Sequence, residues 1–138
     1  MIPLYPFAGW TVAVLGLDAA GIAAGRALVV GEATVWGWDD DPARRAAAEA
    51  AGVPIHDLAT ANWSEPVTLV VSTAVPHGAE APHPVVARAR AVQCEVINDI
   101  ELLARARPQA LYLGVTGVTG SAETARLLGH LLSVTGGA

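Results

Sequence analysis

Four short apolar runs, each followed within a few residues by a helix-forming stretch, constrain this chain more than any other feature. They are Thr11–Gly16, Ala33–Trp38, Val67–Ser72 and Cys94–Ile97. Their apolar residues fall on consecutive positions, so such a strand needs cover on both faces, which a parallel sheet flanked by helices provides. The helical stretches are Ala19–Val30, Pro42 to about Ala51, Pro84–Val92, and Asn98 or Asp99 through Arg105. Asp41 before Pro42 is a strong start signal, because an aspartate caps free N–H groups and proline at the first helical position loses nothing. Gly52 stops that helix and Pro108 the fourth. Val53–His56 adds a short strand, and Ala110–Val115 with Ala122–Leu132 a last strand and helix. Repeated strand–helix units imply one doubly wound, Rossmann-like α/β domain over residues 1–138, a parallel sheet with helices on both faces. The expected order across the sheet is 53–56, 33–38, 11–16, 67–72, 94–97, with 110–115 at the edge. The expected site lies at the carboxyl ends of the strands. There the loops Gly16–Gly21, Ser72–Pro82, Asn98–Asp99 and Thr116–Ser121 should converge.

Composition removes several function classes. A net charge of −5 argues against a nucleic-acid surface. All eight basic residues are arginine, so neither a Schiff-base lysine nor a phosphate-loop lysine exists. A single cysteine excludes an internal disulfide and, with no basic, apolar leader and no membrane-length apolar run, points to a cytoplasmic protein. Cys94 itself reads as a small buried residue. No His, Cys, Asp or Glu grouping has metal-ligand spacing, and neither a metal nor a cofactor is expected.

The order Val14-Leu15-Gly16-Leu17, Trp38-Asp39-Asp40, His83-Pro84-Val85-Val86, Asp99-Ile100-Glu101-Leu102 and Gly114-Val115-Thr116-Gly117 resembles the Mur ligases. The resemblance covers the whole chain but only the first third of such an enzyme. It implies a uridine-nucleotide-binding domain, with residues 110–138 corresponding to the first strand and helix of an ATPase domain. Three loops depart from the family pattern. The first turn reads Gly16-Leu17-Asp18, where the family has Gly-Leu-Gly. The turn after the third long run reads Ser72-Thr73-Ala74 instead of Ser-Pro-Gly. The ATP loop reads Thr116-Gly117-Val118-Thr119-Gly120-Ser121-Ala122, so its lysine and magnesium-binding hydroxyl are replaced by Ser121 and Ala122. ATP handling is therefore not expected.

Departures confined to three loops read as a site rewritten on an intact scaffold, by engineering. The resulting expectation is a serine hydrolase acting on activated esters. Ser121 at a helix N-terminus would be the nucleophile, His77 the base and Asp18 its orienting acid. The Ala122 and Glu123 amides would hold the oxyanion. Each residue also has a plainer reading, Asp18 as a helix cap and Ser121 as an ordinary first-turn residue. The alternative expectation is a catalytically inactive Mur-ligase-like domain that binds a UDP-sugar weakly at most. A small ester or a UDP-sugar would be its partner, with no nucleic acid and no membrane. The chain would be a monomer or, if the last strand pairs with another copy, a strand-swapped dimer.

Overall fold

The strand–helix alternation becomes a four-stranded, all-parallel sheet. Its strands are β1 (Thr11–Leu15), β2 (Thr34–Trp38), β3 (Thr68–Val71) and β4 (Glu95–Asn98), in the order β2-β1-β3-β4. The helices are α1 (Ala19–Val30), α2 (Pro42–Ala50), α3 (Pro84–Ala91), α4 (Asp99–Ala106) and α5 (Ser121–Val134). The computed structural model describes residues 1–78 and 80–136. It forms two compact units, Met1–Pro108 and Gln109–Ala138.

Register explains why the apolar runs had to be continuous. β1 sits between two neighbours, with Val12 opposite Val35 on one side and Thr68 on the other. Val12, Val14, Val35, Val70 and Ile97 point to one face, where Ala24, Ala27 and Leu28 of α1 and Leu102 of α4 cover them. Ala13, Leu15, Trp36, Leu69 and Val71 point to the other, under Val85, Val86 and Ala89 of α3 and under Leu58 and Trp63. Helices therefore cover both faces, as expected. Burying each such aliphatic side chain contributes roughly 1.5–3 kcal/mol. Trp36 and Trp38 share one face of β2. The expected strand at 53–56 is reduced to a single parallel bridge between Gly37 and Ile55, which places it beside β2 as foreseen.

The helix starts follow local chemistry. Asp18 accepts from the Gly21 amide at 2.9 Å, Asp41 from Ala43 at 2.8 Å, and Asn98 from Glu101 at 2.8 Å. His83 caps α3 ahead of Pro84 through Nδ1, which accepts from the Val85 amide at 3.2 Å.

The expected sixth strand does not form. Residues 110–116 carry no ladder, and Leu111 is 88% exposed. A strand exists only through a hydrogen-bonded neighbour, and its apolar run supplies side chains but not that neighbour. α5 does form, close to its expected bounds, yet buries none of its residues.

Candidate functional site: the crevice at the carboxyl end of β1

From β1 the sheet grows in opposite directions, to β2 on one side and to β3 on the other. In open α/β sheets the loops at such a reversal part and leave a crevice. Here the crevice is a half-open depression of about 160 Å³, lined by Leu15, Gly16, Asp39, Asp40, Val75 and His83 among others. Two glycines let the backbone fold back tightly at its floor. Gly16 has φ +89°, and a Cβ there would lie 2.7 Å from Ser72 Cβ and 2.8 Å from Val75 Cγ2. A Cβ on Gly21 would run into the Gly16 carbonyl oxygen. The first turn of α1 thus packs directly on the end of β1.

Three carboxylates lace the loops around this floor. Asp39, just beyond β2, is buried; its Oδ2 accepts from the Leu17 amide at 2.8 Å and its Oδ1 from Asp41 at 2.9 Å. Arg44 approaches the same Oδ2 at 3.5 Å. Asp18 accepts from the Gly21 amide through Oδ1 and from the Ser72 hydroxyl through Oδ2 at 2.6 Å. Burial pushes its carboxyl up, but the Ser72 hydroxyl and the Gly21 and Ala20 amides outweigh this and hold it below the ordinary value. Asp40 meets His83 Nε2 at 2.8 Å, and this hydrogen bond is the main reason its carboxyl is also held low. Because His83 Nδ1 accepts from Val85, the hydrogen of the bond to Asp40 is carried on Nε2. Arg45 lies over the Trp38 ring at 4.5 Å and donates to the Asp39 carbonyl at 2.7 Å, fixing the turn that carries these acids.

Asp18, Asp40 and Glu95, the last held low chiefly by its hydrogen bond to Arg105, favour folding in the ionised state. Their folded pKa values lie below the unfolded ones, so their contribution is complete above about pH 4.5 and declines as pH falls through the folded values. Thermal unfolding followed from pH 5 to pH 2 should show a falling midpoint. The fall should be shallower in Asp18→Asn; a midpoint independent of pH would contradict these pairings.

The N-terminus of α1, just beyond β1, is already capped from within by Asp18. In related folds that N-terminus receives a phosphate; here the Asp18 carboxylate takes the Gly21 amide. Cap spacing made the Asp18–Gly21 bond legible in sequence. Ser72 as its second partner, the Asp39–Leu17 bond and the Asp40–His83 bond were not legible, since they join distant residues. The acid just past β2 was the only hint of them.

The residues expected to form a triad have other engagements. Asp18 binds Ser72 and Gly21, and His77 Nδ1 donates to the Val75 carbonyl at 2.7 Å while the His77 carbonyl accepts from Arg90 at 2.7 Å. Ser121, Ala122 and Glu123 are the first residues of α5 in the unit Gln109–Ala138, after Gly120 at φ +74°. Cys94 is buried, its thiol pushed up by burial and then by Glu95, in keeping with a packing role. Among the described residues no three His, Cys, Asp or Glu side chains are grouped to hold a metal ion, and no helix is long and apolar enough to cross a membrane.

Comparison with known proteins corrects the hydrolase expectation. Over 99% of its length the chain is 44% identical to the UDP-N-acetylmuramoylalanine–D-glutamate ligase of Phenylobacterium zucineum and 42% identical to that of Caulobacter vibrioides. Over 96% it is 40% identical to that of Rhodospirillum rubrum. The chain spans about 30% of the length of these relatives. No family model matches it, and no solved structure does. Its relatives are ligases, not esterases, and identity this high along the whole chain gives no sign of a scaffold rewritten by engineering. Asp18 and His77 hydrogen-bond within the fold, Asp18 to Gly21 and Ser72 and His77 to Val75.

Proposed function

We propose that this chain, a homologue of the N-terminal third of the UDP-N-acetylmuramoylalanine–D-glutamate ligases, is a UDP-sugar recognition domain of that lineage, with weak affinity and no catalysis of its own. The supporting observation is the Asp18 carboxylate. It caps the N-terminus of α1 just beyond the carboxyl end of β1, where a diphosphate would otherwise dock, with both oxygens engaged. The crevice position speaks for a nucleotide-type ligand. A negative charge at its anion-binding end speaks for low affinity. Ser121 and Ala122 stand where the ATP loop needs a lysine and a hydroxyl, so phosphoryl transfer has no support from these side chains. A cytoplasmic setting agrees with one free, buried thiol and the nucleotide-sugar ligand.

Titration with UDP-N-acetylmuramoyl-alanine, followed by backbone amide shifts, tests this. Saturable shifts at Leu15–Gly21 with a Kd near ~1 mM are expected, about −4 kcal/mol of binding. A Kd in the low micromolar range would overturn the weak-affinity reading. Absence of any shift at millimolar ligand would overturn UDP-sugar recognition itself.

A further inference from the structure

We infer that this chain carries a second ligand site, at the end of the sheet opposite the crevice, for a small organic acid with an apolar body. The site is an open groove of about 820 Å³ between the 61–67 loop and the last turn of α3. Val67 leads into β3 and Cys94 into β4, so the groove lies at the amino ends of these strands. Its volume falls within the roughly 300 to 1,000 Å³ typical of sites for organic ligands.

The walls define the body of that ligand. Trp63, Pro66, Val67 and Val92 give the groove its apolar surface. Val67 and Val92 are exposed, so covering them is favourable. The polar groups of two lining residues are engaged within the fold. Trp63 Nε1 donates to the Leu58 carbonyl at 3.1 Å, and the Cys94 thiol to the Pro66 carbonyl at 3.4 Å. An apolar body resting there deprives neither of its partner.

The charge pattern defines its head group. Although the chain has 13 acidic residues, the groove is lined by no acid and by one cation, Arg88, among the described residues. The Arg88 side chain has no ion pair or hydrogen bond among those residues, whereas Arg45, Arg90 and Arg105 are engaged. A free guanidinium grips a carboxylate with two parallel hydrogen bonds. The carbonyls ending α3 would repel an anion, but those of Ala89 and Arg90 accept from the Cys94 and Gln93 amides at 2.9 and 3.0 Å. A single cation matches a single negative charge better than a phosphate dianion. Gln93, at φ +61°, holds a left-handed conformation in which glycine is the relaxed choice. It also lines the groove, and its side chain adds an amide donor that glycine lacks.

The test uses the full chain and three probes with one apolar body: phenylbutyrate, the neutral phenylbutanol and phenylbutyl phosphate. Followed by backbone amide shifts, phenylbutyrate should saturate at Trp63–Ser64 and Val92–Cys94 with a Kd on the order of 1 mM. The alcohol should bind about fivefold more weakly, and the phosphate no more tightly than the acid. Arg88→Gln should weaken phenylbutyrate binding about fivefold, and Arg26→Gln, a change of equal charge on α1, should leave it unaltered. Gln93→Gly should weaken it about twofold without lowering the thermal midpoint. Alcohol binding as tight as that of the acid, tighter binding of the phosphate, or equal losses in Arg88→Gln and Arg26→Gln would each overturn the carboxylate site. So would shifts confined to Leu15–Gly21, which mark the crevice, or no saturable shift well above that Kd. Unchanged affinity or a lower midpoint in Gln93→Gly would overturn the part given to Gln93.

Discussion

Asp18→Gly should raise the affinity for UDP-N-acetylmuramoyl-alanine by roughly ten- to a hundredfold, the largest gain expected of any single change in this chain. One carboxylate a few ångströms from a diphosphate costs about 1–4 kcal/mol at the effective dielectric of a protein surface. The substitution also frees the Gly21 amide and the Ser72 hydroxyl, both now held by Asp18, for a phosphate oxygen. The backbone tolerates the change, since position 18 is extended (φ −73°, ψ −174°) and glycine is an acceptable cap. Ser72 loses its buried partner, so stability should fall by about 1–3 kcal/mol. Calorimetric titration of both proteins, with thermal unfolding alongside, measures the two effects separately. An affinity unchanged within twofold would show that Asp18 does not oppose the ligand, and the weak-affinity reading would lose its support.

Gly21→Ala should destabilise the fold by about 3 kcal/mol or more. Two effects compete. Alanine is favoured over glycine inside a helix by about 1 kcal/mol. Against this, the new Cβ would overlap the Gly16 carbonyl oxygen. That oxygen belongs to the backbone at the end of β1 and has no rotamer through which to move aside, so overpacking wins. The thermal midpoint should drop by roughly 10 °C or more. Gly25→Ala is the comparison. Its Cβ would meet Val53 Cγ1 at 2.9 Å, the end of a side chain, and the loss should be clearly smaller. Equal losses in the two variants would mean that the close approach of α1 to β1 is not what requires glycine.

Most of the scaffold was legible because its signals are local. A continuous apolar run such as Val12–Leu15 announces a buried strand, and Asp41-Pro42 and Asn98 announce helix starts within two or three residues of where they act. The failure at 110–115 has the same root. Apolar character is local, but a ladder partner is not, and the run is not paired. The site was legible only in position. That the crevice lies at the ends of β1 and β3 follows from strand order, and Asp18 as a cap follows from its spacing to Gly21. The partnerships of Ser72 with Asp18 and of His83 with Asp40 cross 54 and 43 residues, and no periodicity encodes them. Without them, a serine at a helix start and a histidine in a loop looked like catalytic groups lacking only proximity.

The parallel arrangement also bears on how the molecule is made. Every ladder joins strands separated by at least one whole connecting segment, and Val12 meets Thr68 only after α1, β2 and α2 have been placed. Among the described residues no hairpin is available to nucleate the sheet, and loop closure must precede any strand pairing. β1, central in space yet first in sequence, has the longest loop to close before its second neighbour can pair, and the crevice at its end depends on that closure.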